Sequence, residues 1–467
     1  MLFDTLKFIK MNRSLSSLLI MPLFFTSSFG QVNQDKAIAK SLDSLITSRF
    51  TNVSPGCVVL VMKKNDILYK KAFGTANIEL NVPMKPEMVF RIGSITKQYT
   101  AVAILQLIEQ GKVSLQDSIQ KFIKEFPHKP ITIENLLTHT SGIPDYEALN
   151  FPIPNAIRID FPPKQIIDSL GKLPLDFPAS SKYHYSNSNY FLLAYIIEKV
   201  SGQPYKDYLS EHIFKPAGLS DTYYDVPEKI IPNRVSGYSK TNSQYYNAGY
   251  ISMSQVFGAG ALVSNVDDMY KWHQALYNHK LIKQEILEKA FTPYKLADGS
   301  VSEYGYGWFI KQRNEEKSIE HSGGIDGFQS DEIYFPQQGI FIATLYNSLN
   351  EGGSDMGFMA LDNDIATVSL GRELNREISV DTSLLKQYVG IYESDPQHPA
   401  EITLENGQLQ MEAKEGGLPK SPLFAKSANI FFLKAIDAEI EFVKNRNKVT
   451  ELIVHFNGQN QVAKKVK

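Results

Sequence analysis

Cysteine is nearly absent: the 467 residues hold one, Cys57. That excludes an internal disulfide framework, a multi-cysteine zinc site and an iron–sulfur cluster held by the chain's own thiolates. Cys57 opens the apolar run Cys57-Val58-Val59-Leu60-Val61 and reads as an inert, buried small hydrophobe. An excess of charge of one sign is lacking too. Lys plus Arg is 48 against 50 Asp plus Glu, a formal net charge of −2, so the basic surplus of a general nucleic-acid binder is missing. The nine histidines are scattered and no HExxH occurs, so the sequence gives no metal or cofactor site. Beyond residue 30 there is no apolar run long enough for a membrane span. What is present is ordinary globular composition, 43% hydrophobic and 21% charged, sufficient for a sizeable core. At one domain per ~150 residues, about three units are expected.

Residues 1–30 read as a cleaved signal peptide. Lys7, Lys10 and Arg13 form a positive start, and Leu15 to Phe25 is mostly apolar. Ser28 and Gly30 supply small residues at −3 and −1, which would leave Gln31 first. Asp4 is unusual in such a start, and Met11 is an alternative initiator. The apolar run is too short and interrupted to cross ~30 Å of hydrocarbon as an anchor. Losing Asp4 and three bases leaves 49 acids against 45 bases, a charge of −4. The mature chain is therefore expected to be secreted or periplasmic, with no stable membrane anchor.

Helical apolar spacing (Ile38, Leu42, Leu45, Ile46) predicts a helix over 34–50. Val58–Met62 and Ile67–Phe73, joined by Lys63-Lys64-Asn65-Asp66, read as a β-hairpin. A helix follows Ser94 and stops at Gly111. From 112 to 290 the pattern is mainly helical, broken by proline-rich loops. Strands resume at Tyr306–Lys311, Ser318–His321, Phe328–Phe335 and Ile340–Tyr346, and a helical pattern at 355–369 closes the unit. Strands that bracket a helical middle predict an α+β fold: an antiparallel sheet flanked by helices, with a helical subdomain inserted. Residues 371–381 are polar and read as a linker. Six short strands then fall between Tyr388 and Phe456, with Asn406-Gly407 and Asn457-Gly458 as hairpin turns, and predict a small antiparallel barrel or sandwich over 382–467.

Three small motifs carry chemistry only as a set. Ser94 and Lys97, in Arg91-Ile92-Gly93-Ser94-Ile95-Thr96-Lys97, lie three apart at a helix start and share one face. A lysine can take a serine's proton if burial or nearby cations leave it partly neutral. The same spacing recurs at Ser118/Lys121, Ser169/Lys172 and Ser383/Lys386, but only Ser94 directly precedes the most apolar helix. Tyr185-Ser186-Asn187 offers a phenol that can relay a proton if a lysine lowers its pKa, and an amide that both donates and accepts. Tyr245-Tyr246-Asn247 matches the same pattern. His321-Ser322-Gly323-Gly324 ends a predicted strand, where small residues let a substrate backbone approach and a backbone N–H can hold an oxyanion.

In order, and separated by 91 and 136 residues, these motifs resemble those of the serine β-lactamase and penicillin-binding-protein superfamily. The similar branch holds class C β-lactamases, DD-peptidases, D-aminopeptidases and esterases. Leu136-Leu137-Thr138-His139-Thr140-Ser141-Gly142-Ile143 and Gly258-Ala259-Gly260-Ala261-Leu262-Val263-Ser264 also look like this family. The likeness covers about 35–370, within a catalytic domain set at 31–370; the tail resembles appended lipocalin-like β-domains. The resemblance implies Ser94 as acylated nucleophile, Lys97 as its base and Tyr185 as proton shuttle. It implies Asn187 and His321 as substrate-binding residues and the N–H groups of Ser94 and Gly324 as oxyanion hole. His321 stands where many members have lysine, which argues against β-lactam hydrolysis. The implied function is a serine hydrolase working through an acyl-enzyme, without metal or cofactor, on D-amino-acid peptides or small esters. A β-lactamase and a non-hydrolysing binding module are the alternatives.

Overall fold

A computed structural model of the chain describes residues 24–128, 130–149, 155–242, 244–350, 356–394, 399–413, 418–446, 448–456 and 458–466. Most of the expected leader, residues 1–23, lies outside them. The first helix, α1 (Phe24–Thr47), places Ile38, Leu42 and Ile46 in a buried core. The hairpin forms as β1 (Cys57–Lys63) and β2 (Asp66–Phe73). Its two-residue turn, Lys64-Asn65, has φ of 50° and 73°, the left-handed pair that matches strand twist. The nucleophile segment starts as a tight turn, Gly93–Ile95, and continues as α2 (Thr96–Glu109). The chain leaves α2 through Gly111 at φ +69°. Tyr185 and Ser186 lead into α3 (Asn187–Ser201).

The late strands are β3 (Phe309–Arg313), β4 (Glu316–Ile325), β5 (Phe328–Phe335) and β6 (Ile340–Tyr346), followed by α4 (Met356–Ser369). They form one antiparallel sheet in the order β3-β4-β5-β6-β1-β2. β6 pairs with β1 from Cys57↔Tyr346 to Lys63↔Ile340, so strands from the two ends of the unit bracket its helical middle. The alternation of a strand sorts β1 between two cores. Cys57, Val59 and Val61 pack with α1 and α4, whereas Val58, Leu60 and Met62 join the large core around α2 and α3. Cys57 is fully buried and free, as its apolar run predicts. β3 starts three residues later than expected because Gly307, at φ +96°, interrupts the extended backbone. β4 runs past His321 to Ile325, where Asp326-Gly327 turns the chain into β5.

The tail forms a nine-stranded antiparallel sheet whose edge strands, Leu418–Pro422 and Phe424–Ala425, are separated only by Leu423. Leu423 is buried and its N–H donates to the Leu409 carbonyl, so the sheet curls until its edges nearly meet. Its interior is its own cluster, which includes Tyr388, Tyr392, Ile402, Phe431, Phe442 and Leu452. Asn406-Gly407 forms the expected turn, with φ of 49° and 82°. The edge strands and the final Gln459–Lys465 strand escaped the sequence reading, because prolines or polar residues mask their pattern. Among the described residues, no helix is long and apolar enough to cross a membrane, and no group of three His, Cys, Asp or Glu is arranged to hold a metal.

Candidate active site

α2 is buried almost throughout, so its start is held against the core. Lys97 is fully buried, and its Nζ meets three oxygens: Ser94 Oγ at 2.9 Å, Asn187 Oδ1 at 2.8 Å and the Ala259 carbonyl at 2.9 Å. A carbonyl and an amide oxygen can only accept. A neutral amine has two N–H bonds for those two and a lone pair left for the Ser94 hydroxyl proton. Burial favours that form and lowers the Lys97 pKa to about 7, against the pull of Asp145 and Glu147. The nucleophile–base pair is therefore built by one helix turn and set by its surroundings. The other Ser-x-x-Lys pairs have different engagements. Ser118 bonds Gln120 while Lys121 pairs with Asp117, and Ser169 donates to the Gln165 carbonyl.

The Tyr185 hydroxyl hydrogen-bonds to Ser94, which places all three expected reactive groups together. The condition of a lysine-lowered phenol is not met. Lys97 does not lower the phenol pKa: its Nζ lies over the ring, 4.8 Å from the centroid, and burial pushes the phenol well above its ordinary value. Tyr185 is held as the protonated phenol, suited to giving a proton and taking it back. Asn187 opens α3 with its backbone N–H donating to Asp145 Oδ2 at 2.6 Å. With Oδ1 occupied by Lys97, its Nδ2 is the atom left to face a substrate; Glu147 Oε1 lies 3.4 Å from it.

His321 is buried with both ring nitrogens engaged. Nδ1 lies 2.6 Å from the Ser322 carbonyl and must carry the proton; Nε2 then accepts from the Tyr304 hydroxyl at 3.0 Å. Burial, then Lys97, lower its pKa to about 3, so the ring is neutral at neutral pH. The backbone beyond it fits against the nucleophile turn. A Cβ on Gly323 would sit 2.1 Å from the Ile92 carbonyl, and one on Gly93 (φ +47°) would sit 2.9 Å from the Gly324 nitrogen. Only glycine at both positions lets the Gly324 N–H come this close to the residue before Ser94.

Several residues at the site were given no role by the sequence. Ala259 supplies a carbonyl, Tyr304 holds His321, and Asp145 and Glu147 act on Lys97. His139, buried at φ 56°, accepts from the Ser186 N–H at 3.2 Å and stacks 4.3 Å from Tyr185. The Leu136–Ile143 stretch was the sequence signal for His139, as Gly258–Ser264 was for Ala259. The decoy Tyr245-Tyr246-Asn247 lies in an exposed strand, Gln244–Asn247.

The nucleophile turn, the neutralised lysine and the glycine-bearing strand define a serine acyl-transfer centre on a β-lactamase/transpeptidase-like fold. Residues 42–361 match the family described as Beta-lactamase, and the chain belongs to it; it is a serine hydrolase. Residues 374–465 match a domain of unknown function (DUF3471). The chain is 29% identical over 431 residues to penicillin-binding protein 4* of Bacillus subtilis, covering 88% of this chain and 94% of that protein. It is 25% identical over 294 residues to the D-aminopeptidase of Brucella canis, covering 63% of this chain and 56% of that protein. In structure it is similar to an octameric penicillin-binding protein homologue from Pyrococcus abyssi, with TM-score 0.61 and 24% identity over 95% of this chain and all of that one.

Proposed function

We propose that the enzyme cleaves amides or esters of D-amino acids whose α-amine is free. The observation that carries this reading is the charge at the site mouth. Asp145 and Glu147 act on Lys97, and Asp326, on the turn after β4, acts on Glu147. His321, where a cation would attract a carboxylate, is neutral. Such a mouth attracts an ammonium and repels a carboxylate. The D-aminopeptidase relative supports the stereochemistry.

In this mechanism the Ser94 Oγ attacks the carbonyl carbon as its proton passes to Lys97. The oxyanion is held by the N–H groups of Ser94 and Gly324. Tyr185 protonates the leaving group and recovers a proton from Lys97. Water then attacks the acyl-serine, its proton returns through Tyr185 and Lys97, and Ser94 is restored.

The test is kcat/KM for D- and L-alanine p-nitroanilide, N-acetyl-D-alanine p-nitroanilide and nitrocefin. The free D-amine should be preferred over its N-acetyl form by roughly tenfold or more, the equivalent of ~1.4 kcal/mol, and Glu147→Gln should narrow the gap. Equal turnover of the acetylated compound, or faster turnover of nitrocefin, would sink this reading.

A further inference from the structure

His139 is a buried titratable residue that the proton transfers above do not use, yet it grips the Tyr185 segment from both sides. Its backbone carbonyl accepts from the His184 N–H at 3.0 Å, and its ring Nδ1 accepts from the Ser186 N–H at 3.2 Å. These two bonds straddle Tyr185. Between them the imidazole lies against the phenol, with ring centroids 4.3 Å apart. The backbone of His139 is left-handed, at φ +56°, a conformation that few non-glycine residues adopt and that the surrounding structure must hold in place.

The neighbours of His139 also fix its proton. Asn189 Oδ1 accepts from the Ser141 hydroxyl at 2.6 Å, so the amino group of Asn189 is the end that faces His139 Nδ1, at 3.1 Å. Nδ1 thus meets two donors and can only accept, which puts the ring proton on Nε2. Nε2 is buried and has no hydrogen-bond partner among the described residues. Besides Tyr185, the imidazole has the rings of Tyr304 at 4.7 Å and Tyr190 at 5.1 Å against it. Burial, then Lys97 and His321, hold its pKa well below the ordinary histidine value, so it stays uncharged beside Lys97. An unpaired buried donor costs stability, and an apolar ring would avoid that cost. What the imidazole adds over such a ring is the Nδ1 acceptor for the residue after Tyr185.

Tyr185 needs this support. It is only half-buried, and its hydroxyl must stay on Ser94 to serve the leaving group. A phenol turns about two side-chain bonds. Backbone held on either side and a ring packed against it restrict that turning.

We propose that His139 is the positioning residue for Tyr185: two backbone tethers and one ring contact hold the phenol on Ser94, ready to protonate the leaving group. The inference rests on the proton relay through Tyr185 described above, and it is independent of which substrate the mouth selects.

The experiment uses the full-length protein and two esters without an amine. The readout is the ratio of kcat/KM for 4-nitrophenyl acetate to that for phenyl acetate. 4-Nitrophenolate is a stable anion that leaves unaided, whereas phenolate gains from a general acid. His139→Asn keeps an acceptor where Nδ1 stood, suits the left-handed backbone and removes the ring. His139→Phe is the second arm: it keeps a ring and removes the acceptor. Each should lose phenyl acetate turnover selectively, raising the ratio roughly tenfold in His139→Asn, and Tyr185→Phe should raise it at least as far. Thermal unfolding shows that each variant is folded. A merely structural role lowers both rates together, so a wild-type ratio in the His139 variants overturns the proposal. If Tyr185→Phe alone moves the ratio, the relay stands and His139 does not position it. If Tyr185→Phe leaves the ratio unchanged as well, the relay fails and the proposal falls with it. An enzyme that turns over neither acetate is read by the rates at which ethyl 4-nitrophenyl and ethyl phenyl methylphosphonate label Ser94, with the same outcomes deciding it.

Discussion

At Lys97, burial and two carboxylates pull in opposite directions, and burial wins. With a pKa of about 7, the amine becomes an available base as pH rises through neutrality. kcat/KM should therefore climb with a midpoint near pH 7, and Lys97→Met should abolish turnover. The same shift acts on stability. Between pH 7 and ~10 the unfolded lysine holds a proton that the folded one has lost, so folding becomes more favourable as pH rises, by up to ~1.4 kcal/mol per unit. The stability difference between wild type and Lys97→Met, measured by urea unfolding at pH 7, 8 and 9, should grow with that slope; a constant difference would contradict the burial argument. His321 behaves oppositely in the assay. Its pKa of about 3 keeps it neutral, so it should add no inflection to the rate profile from pH 5.5 to 8.5, and His321→Gln should leave the profile's shape unchanged. Ser94→Ala should lose fluorophosphonate labelling entirely, while Ser118→Ala, Ser169→Ala and Ser383→Ala keep it.

Among the elements, β4 makes the most demanding contact, because its backbone lies on the nucleophile turn. Gly323 and Gly324 differ sharply there. A methyl on Gly323 runs into the Ile92 carbonyl, while one on Gly324 enters open space. Gly323→Ala should destabilise by about 1–3 kcal/mol and cut kcat, because strand and turn must separate. Gly324→Ala should unfold within about 0.5 kcal/mol of wild type, since its backbone needs no positive φ. Thermal unfolding with kcat on one substrate separates the two. Equal effects would mean that β4 does not sit on the turn as described.

Over the whole molecule, the barrel has an apolar cluster separate from those of the catalytic part. A cleft of about 850 Å³ lies between them, bordered by Arg49, Asp364 and Arg372 on one side and by Lys426, Lys434 and His455 on the other. Among the described residues, the links between the two parts include the Asn314 N–H donating to Asp437 and the pull of Lys434 on Asp364. Polar links of this kind hold domains weakly. Calorimetry of the full chain should show two transitions, and residues 374–467 alone should unfold cooperatively. A single transition, with a non-cooperative fragment, would mean a shared core.

Local pattern was enough where the physics is local. The β1–β2 hairpin, the apolar face of α1, the helix stop at Gly111 and the one-turn spacing of Ser94 and Lys97 depend on neighbours within a few residues, and all were legible. The joint spacing of Ser94, Tyr185 and His321 made the family recognisable. What the sequence could not contain is the environment created when distant segments meet. Tyr185 keeps its proton because burial, not the nearby lysine, dominates its pKa. His321 is neutral because burial and then Lys97 lower its pKa, while Tyr304 and the Ser322 carbonyl fix its tautomer. Ala259, Asp145 and Glu147 reach Lys97 across 162, 48 and 50 residues of chain. Composition and periodicity record which residues prefer to be inside. Only the tertiary packing decides which inside residues face one another, and that sets the proton affinities, the free lone pairs and the shape of the cavities.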